Sequence, residues 1–251
     1  MGKRIALIFA LLTVVQASGQ YDSEGANKSR FRPGMFWFYT GFRPAKSVKS
    51  EQIIKYDRVI ADITYNDWMG DRAPFQNHWA SIGVNTSIMF DIPMTRIYNT
   101  ASFGIGISHE YTDIRHNGKF IADPVLETTT WMPKDSSDIF TRSSLVGNSF
   151  SIPIEFRFRT KSWKHFKVHI GGKIGYQAYL AAKSVMRIDG DKSVLRDHGF
   201  QDESRLLYSA HIRIGVRNWA VYTAYYFNPI FLQGGSTKLN RVQFGVSLSL
   251  F

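Results

Sequence analysis

The 251-residue sequence contains no cysteine. That absence excludes disulfide scaffolds, thiolate metal sites, a Cys nucleophile and a lipid anchor on an N-terminal Cys. Long apolar runs are missing too. Ile5 to Val15 is interrupted only by Thr13, but it falls short of the ~20 residues that a spanning helix needs. No later stretch reaches that length free of charge. If this chain resides in a membrane, it does so as a barrel. Acidic residues are scarce relative to basic ones, 20 against 31, for a formal net charge of +11. With 44% hydrophobic and 15% aromatic residues, there is enough apolar material for a core, which excludes wholesale disorder.

Residues 1–19 read as a secretory signal peptide. Lys3 and Arg4 form its positive start, Ile5 to Val15 its apolar stretch, and Ala17-Ser18-Gly19 the small residues for cleavage before Gln20. Removal leaves 29 basic and 20 acidic residues, a net +9. Residues 20–57 are polar and basic around the knot Met35-Phe36-Trp37-Phe38-Tyr39, and are assigned as a periplasmic N-terminal extension.

Residues 58–251 follow a different rule. Hydropathy alternates with period two, the signature of strands with one apolar face. Phe150, Ile152, Ile154, Phe156 and Phe158 alternate with Ser149, Ser151, Pro153, Glu155 and Arg157. The end of the chain repeats the pattern, with Val242, Phe244, Val246, Leu248 and Leu250 on one face. Eight such segments are expected, near 58–65, 80–90, 101–110, 148–158, 168–180, 206–216, 219–227 and 241–250. Their connections have 14, 10, 37, 9, 25, 2 and 13 residues, so the odd-numbered ones are the long ones. Short periplasmic turns, long outer loops and an even strand count predict an all-β fold: an eight-stranded antiparallel transmembrane up-and-down β-barrel.

The two faces agree with that expectation. Aromatic residues near the strand ends (Tyr65, Trp79, Phe90, Tyr111, Phe158, Phe166, Tyr176, Tyr208, Trp219 and Phe227) suit the headgroup level of a bilayer. The alternate face carries Asp62, Asn85, Glu110, Glu155, Arg157, Lys173, His211, Arg213 and Arg241. An eight-stranded interior is about filled by side chains, which argues against a channel. Asp62, Glu110 and Glu155 against Arg157, Lys173, Arg213 and Arg241, with His211, are therefore expected to form a buried ion-pair network of structural importance. With both termini periplasmic, the four outer loops total −1 and the periplasmic side +8. That balance disfavours nucleic acid as an external partner.

Nothing in the sequence carries a catalytic or cofactor signature. In Ser108-His109-Glu110, strand alternation places His109 on the face opposite its neighbours. His169 and His211 face inward and, with Glu155, would make only a weak metal or proton site. Asp189-Gly190-Asp191 is a turn without the rest of a calcium loop. No cofactor, no metal and no enzymatic activity are expected.

Several strings resemble the PorT-like outer-membrane β-barrel family. They are the opening Lys55-Tyr56-Asp57-Arg58, the run Ile152-Pro153-Ile154-Glu155-Phe156-Arg157-Phe158-Arg159-Thr160-Lys161, then Gly171-Gly172-Lys173-Ile174-Gly175-Tyr176 and Asn228-Pro229-Ile230-Phe231, and a terminal aromatic, Phe251. The resemblance implies an integral outer-membrane barrel without catalytic residues, whose namesake takes part in type IX protein secretion. The implied partners are outer-membrane lipid, the barrel-assembly machinery and periplasmic or secretion-apparatus proteins. The leading expectation is a structural or envelope-assembly role. The alternatives are a lipid-modifying outer-membrane enzyme and a surface-binding protein acting through the 111–147 and 181–205 loops.

Overall fold

The structure, a computed structural model, describes residues 57–70, 75–94, 100–135, 140–160, 166–188 and 191–250. The chain divides into two compact units, Met1–Ile54 and Lys55–Phe251, and all described residues lie in the second. The expectations for residues 1–56, Lys161, Lys164, Asp189-Gly190 and Phe251 fall outside the described residues.

Every regular element among the described residues is a strand. In chain order these are β1 (Val59–Gly70), β2 (Ile82–Pro93), β3 (Ala101–His116), β4 (Gly118–Asp123), β5 (Thr128–Pro133), β6 (Phe140–Arg159), β7 (Phe166–Ile188), β8 (Asp191–His198), β9 (Leu206–Val216), β10 (Trp219–Pro229) and β11 (Leu239–Ser249). Eight of them form a closed antiparallel barrel. The order runs β6-β3-β2-β1-β11-β10-β9-β7, and β6 pairs back onto β7 to close it. These eight are the eight segments read from the alternation. Because the number is even, β1 begins and β11 ends at the same end of the barrel, the end of the short turns, where Ile60 faces Ser249.

Closure leaves no open edge in the barrel wall, so the wall strands satisfy their backbone groups among themselves. Pro153 is accommodated within this ladder. It has no N–H to give, and the β3–β6 ladder is broken beside it while Ile105↔Ile154 and Ser108↔Ser151 hold one register on either side. A two-residue turn, Arg217-Asn218, joins the paired residues Val216 and Trp219, with Arg217 at a φ of 53°.

Two segments differ from expectation. The stretches 111–147 and 181–205 are not simple loops. β3 continues to His116, β6 begins at Phe140, and β7 runs for 23 residues to Ile188. Alternation fails there because polar residues occupy both faces, as at Ser143-Ser144 and Lys183-Ser184, yet the ladder continues. A register shift between Asn148 and Ser149 also reverses facing along β7: Gln177 points inward, Tyr179 outward. β8 pairs with this projecting part of β7, and β4–β5 form a separate hairpin.

The polarity of the barrel is inverted relative to a water-soluble one. Large apolar side chains on its outer face are exposed, among them Ile63 (62%), Ile107 (65%), Phe150 (54%), Ile174 (57%) and Val221 (68%). Asp62, Glu155, Arg157 and Gln243 are fully buried. Of the ten expected girdle residues, Trp79, Phe90, Tyr111, Phe158, Phe166, Tyr176, Tyr208 and Phe227 are exposed, while Tyr65 and Trp219 are half-buried.

Candidate functional site

The lumen is crossed by one connected polar network, built by inward positions two residues apart on facing strands. On β6 the alternation in Glu155-Phe156-Arg157 sends both charged groups inward. The Arg157 guanidinium bonds Glu155 at 2.8 Å, Asp91 at 2.7 Å and the Asp57 carbonyl oxygen at 3.1 Å. Glu155 also meets His211 Nε2 at 2.8 Å and pairs with Arg213, whose other face donates to Asp62 at 2.8 Å. Further toward the long loops, Glu110 accepts from Tyr226 at 2.6 Å and Gln243 at 3.1 Å, and pairs with Arg241 at 2.9 Å. Lys173 donates to Tyr222 at 2.9 Å and lies 3.7 Å from Glu110. Asp62, Glu110, Glu155, Arg157, Lys173, His211, Arg213 and Arg241 are thus all buried, and all belong to this network.

Several members were not singled out in the sequence. Arg159 and Lys167, at the short-turn ends of β6 and β7, turn into the mouth. Arg159 pairs with Asp91 at 2.8 Å, and Lys167 with Asp57 at 3.1 Å. The signal was present: each continues the inward parity of its strand by one step. Asp91, Tyr222 and Tyr226 also sit on inward parity. Asp57 precedes β1. Burial alone would raise its carboxyl pKa, but Lys167, His169, Arg159 and Arg157 together hold it below the usual carboxylate range.

The long-loop end is closed by different chemistry. Trp68, Ile114, Leu145, Leu180 and Leu239 rise from the barrel wall to meet Phe75, Phe120, Trp131, Phe200 and Phe231 from the loops. Ring centroids lie 5.1 Å apart for Phe75–Trp131 and 5.5 Å for both Phe120–Phe231 and Phe200–Phe231. Asp202 ties the loops together. Its carboxylate accepts from the Thr129 amide at 3.0 Å, from the Thr129 hydroxyl at 2.6 Å and from Ser236. The Thr237 amide donates to the Thr129 carbonyl at 3.0 Å, and the Trp131 amide to the Thr237 hydroxyl at 2.9 Å. His116 sits inside this cap, where burial pushes its pKa down to about 4. Its Nδ1 accepts from Gly118 N–H at 3.3 Å and Trp131 Nε1–H at 3.4 Å, which requires the neutral ring.

Between network and cap lies a cavity of about 10 Å³, bordered by Trp68, Leu207, Tyr226 and Arg241, room for about one water. Of the catalytic candidates, Ser108 and Glu110 point inward, and Ser108 is bonded to Ser87 at 3.0 Å. His109 is outside, against the Phe150 ring at 5.0 Å, so these three do not converge. His169 and His211 approach Glu155 at 3.7 and 2.8 Å, but Arg213 and Arg157 already occupy that carboxylate. No group of His, Asp and Glu suited to a metal ion occurs among the described residues.

Among solved structures, the chain is similar to Ail, the attachment invasion locus protein of Yersinia pestis, at 12% identity and a TM-score of 0.31, over 76% of this chain and 95% of that one. The structure of Ail in complex with the heparin analogue sucrose octasulfate aligns at 11% identity and a TM-score of 0.29, with the same coverage of 76% and 95%. No family model matches the chain, and no curated protein matches it by sequence. The assignment as an eight-stranded antiparallel barrel rests on the closed pairing of this chain's own strands.

Proposed function

We propose that this chain is an integral barrel of the bacterial outer membrane with a structural or envelope-assembly role. In this reading it is not an enzyme and not a solute channel. The observation that carries it is the inverted polarity: isoleucine, valine and phenylalanine face out, while ion pairs fill the inside. In water that arrangement would expose an apolar surface far larger than monomeric proteins tolerate. Against acyl chains it is the favourable one. The termini of the barrel then lie on the periplasmic side, with the short turns, and the cap faces outward. The lumen's carboxylates and guanidinium groups pair with one another, and among the described residues the inward Ser108 is bonded to Ser87 rather than to a base.

The resemblance to PorT-like proteins supports a place beside periplasmic or secretion-apparatus proteins, including those of type IX secretion. A second reading, a surface-binding protein, is favoured by the cap. Loops that are cross-tied by Asp202 and packed on aromatic rings form a preorganised outer surface.

The test is fractionation followed by partner identification. The expected result is that the chain stays with membranes after alkaline carbonate washing and needs detergent for release. Recovery in the aqueous supernatant, monodisperse without detergent, would overturn the reading. Cross-linking from the short-turn end is expected to recover envelope-assembly or secretion proteins. Loss of a binding phenotype on deleting 119–132, with the barrel still assembled, would favour the surface-binding reading.

A further inference from the structure

The projecting sheet formed by the outer ends of β3, β6, β7 and β8 carries a groove of about 540 Å³ on the barrel's outer face, walled by Tyr111, Tyr179, Lys183 and Arg196. Strand register explains how it arises. One row across the four strands reads Arg115, Ser144, Lys183, Arg196. The next row toward the belt reads Asp113, Val146, Ala181, His198, and the one after it Tyr111, Asn148, Tyr179. Below that, His109, Phe150 and Tyr176 begin the apolar belt. The face therefore passes from cations through phenols to hydrocarbon within a few residues of ~3.3 Å rise each.

Lys183 and Arg196 are direct cross-strand partners. Like charges set opposite each other destabilise a strand pair, so this placement is unfavourable unless an anion sits between them. Arg142 and Arg115 add two more cations, which share a single carboxylate, Asp113, at 2.7 and 4.0 Å. Among the described residues no ion pair engages Lys183 or Arg196. The buried Ser144 hydroxyl within this row has no hydrogen-bond partner, and neither has the buried Nε of Arg115 or Arg142. The face thus offers surplus positive charge at the upper border of an apolar belt.

We propose that this groove is a headgroup site for a phosphate-bearing lipid of the outer leaflet. Lys183 and Arg196 hold the phosphate, Arg115 and Arg142 supply supporting field, and Tyr111 and Tyr179 stand at the headgroup boundary while the acyl chains run down over Phe150 and Tyr176. The proposal rests on the membrane reading above. It goes beyond that reading by assigning one lipid chemistry to one place on the wall. A phosphate attached to acyl chains fits the position better than a free one, because the groove opens onto the belt rather than into the loops.

The test uses the folded chain in phosphatidylcholine nanodiscs with and without added lipid A, a bisphosphorylated glucosamine lipid. The readout is lipid A retained per barrel after exchange against plain vesicles. Retention is expected for the native chain. In the double variant Lys183→Gln, Arg196→Gln, affinity is expected to fall at least about tenfold, which corresponds to ~1.4 kcal/mol. The charge-keeping swap Lys183→Arg, Arg196→Lys is expected to retain lipid, and so separates lost charge from a disturbed hairpin. Lys238→Gln, a cation on another loop, is expected to change nothing. Equal retention by the native chain and the glutamine variant would overturn the site. So would inorganic phosphate displacing lipid A at equal concentration, which would make the groove a general anion site. Failure to enter phosphatidylcholine at all would instead count against the membrane reading.

Discussion

The two ends of the barrel are closed in opposite ways. Toward the short turns the plug is charge: Arg157, Arg159 and Lys167 against Asp57, Asp91 and Glu155. Toward the long loops it is hydrocarbon: Phe75, Phe120, Trp131, Phe200 and Phe231 over the ends of the wall strands. In the wall, each strand contributes one inward side chain every second residue, so complementarity must be written into alternate positions of distant strands. Arg213 of β9, Asp62 of β1 and Glu155 of β6 meet in this way. Above the belt, the chain folds over itself and can bury apolar side chains as any soluble domain does. One end is fixed by strand register, the other by loop packing.

The largest effect should come from breaking the charged end. Arg213→Leu leaves Asp62 and Glu155 buried without their guanidinium, and is expected to cost about 3–5 kcal/mol in urea unfolding from bilayers. Adding Asp62→Asn and Glu155→Gln should recover much of that loss. If the single variant is as stable as the native chain, the network does not hold the barrel. Next comes the wall itself. Ile154→Arg places a charge against lipid and is expected to cost about 2–4 kcal/mol, while Ser151→Arg, on the inward side, costs clearly less. Equal folding yields for the two in a bilayer assay would contradict the strand facing.

Acid separates the ends more finely. His116 has a folded-state pKa pushed from 6.5 down to about 4, so the unfolded ring takes up a proton before the buried one does. Cap stability is therefore unaffected above about pH 6.5 and is lost as pH falls toward about 4, by up to ~3 kcal/mol at ~1.4 kcal/mol per unit. Asp57 has the opposite sense. Its depressed pKa contributes stability that is complete above the ordinary carboxylate value and is lost only as pH falls below it. Hydrogen exchange at β4 and β5 should thus rise between pH 6.5 and 4 while the wall stays protected, and His116→Gln should flatten that response. Simultaneous loss at both ends would show that cap and network form one cooperative unit. The smallest effect is expected from Thr129→Val. It removes a hydroxyl donor from the buried Asp202 and should cost about 1–2 kcal/mol, seen as faster exchange in the hairpin alone.

This contrast also explains what could be read from the sequence. The eight wall strands and the buried network were legible because period-two alternation encodes both the belt and the inward charges. Arg159 and Lys167 belonged to the same pattern one step further along. The cap was not legible. Phe75, Phe120, Phe200 and Phe231 lie in four separate segments with no shared period, and only the folded loops bring them together. The cationic groove was hidden for another reason. The loops at 111–147 and 181–205 carry formal net charges of −1 and 0, and only the register of β7 against β8 places Lys183 opposite Arg196. Composition summed over a loop erases a pattern that pairing creates.

The central claim is that hydrocarbon touches the outer face of this wall. Because the chain has no native cysteine, single-cysteine variants report their surroundings without interference. Ile152→Cys, Phe244→Cys and the inward Ser151→Cys, each carrying a bimane label, can be read in bilayers with and without doxyl-labelled lipid. The account predicts strong quenching by the lipid spin label at 152 and 244 and little at 151. Equal quenching at all three, or quenching of 152 and 244 by aqueous iodide instead, would contradict it.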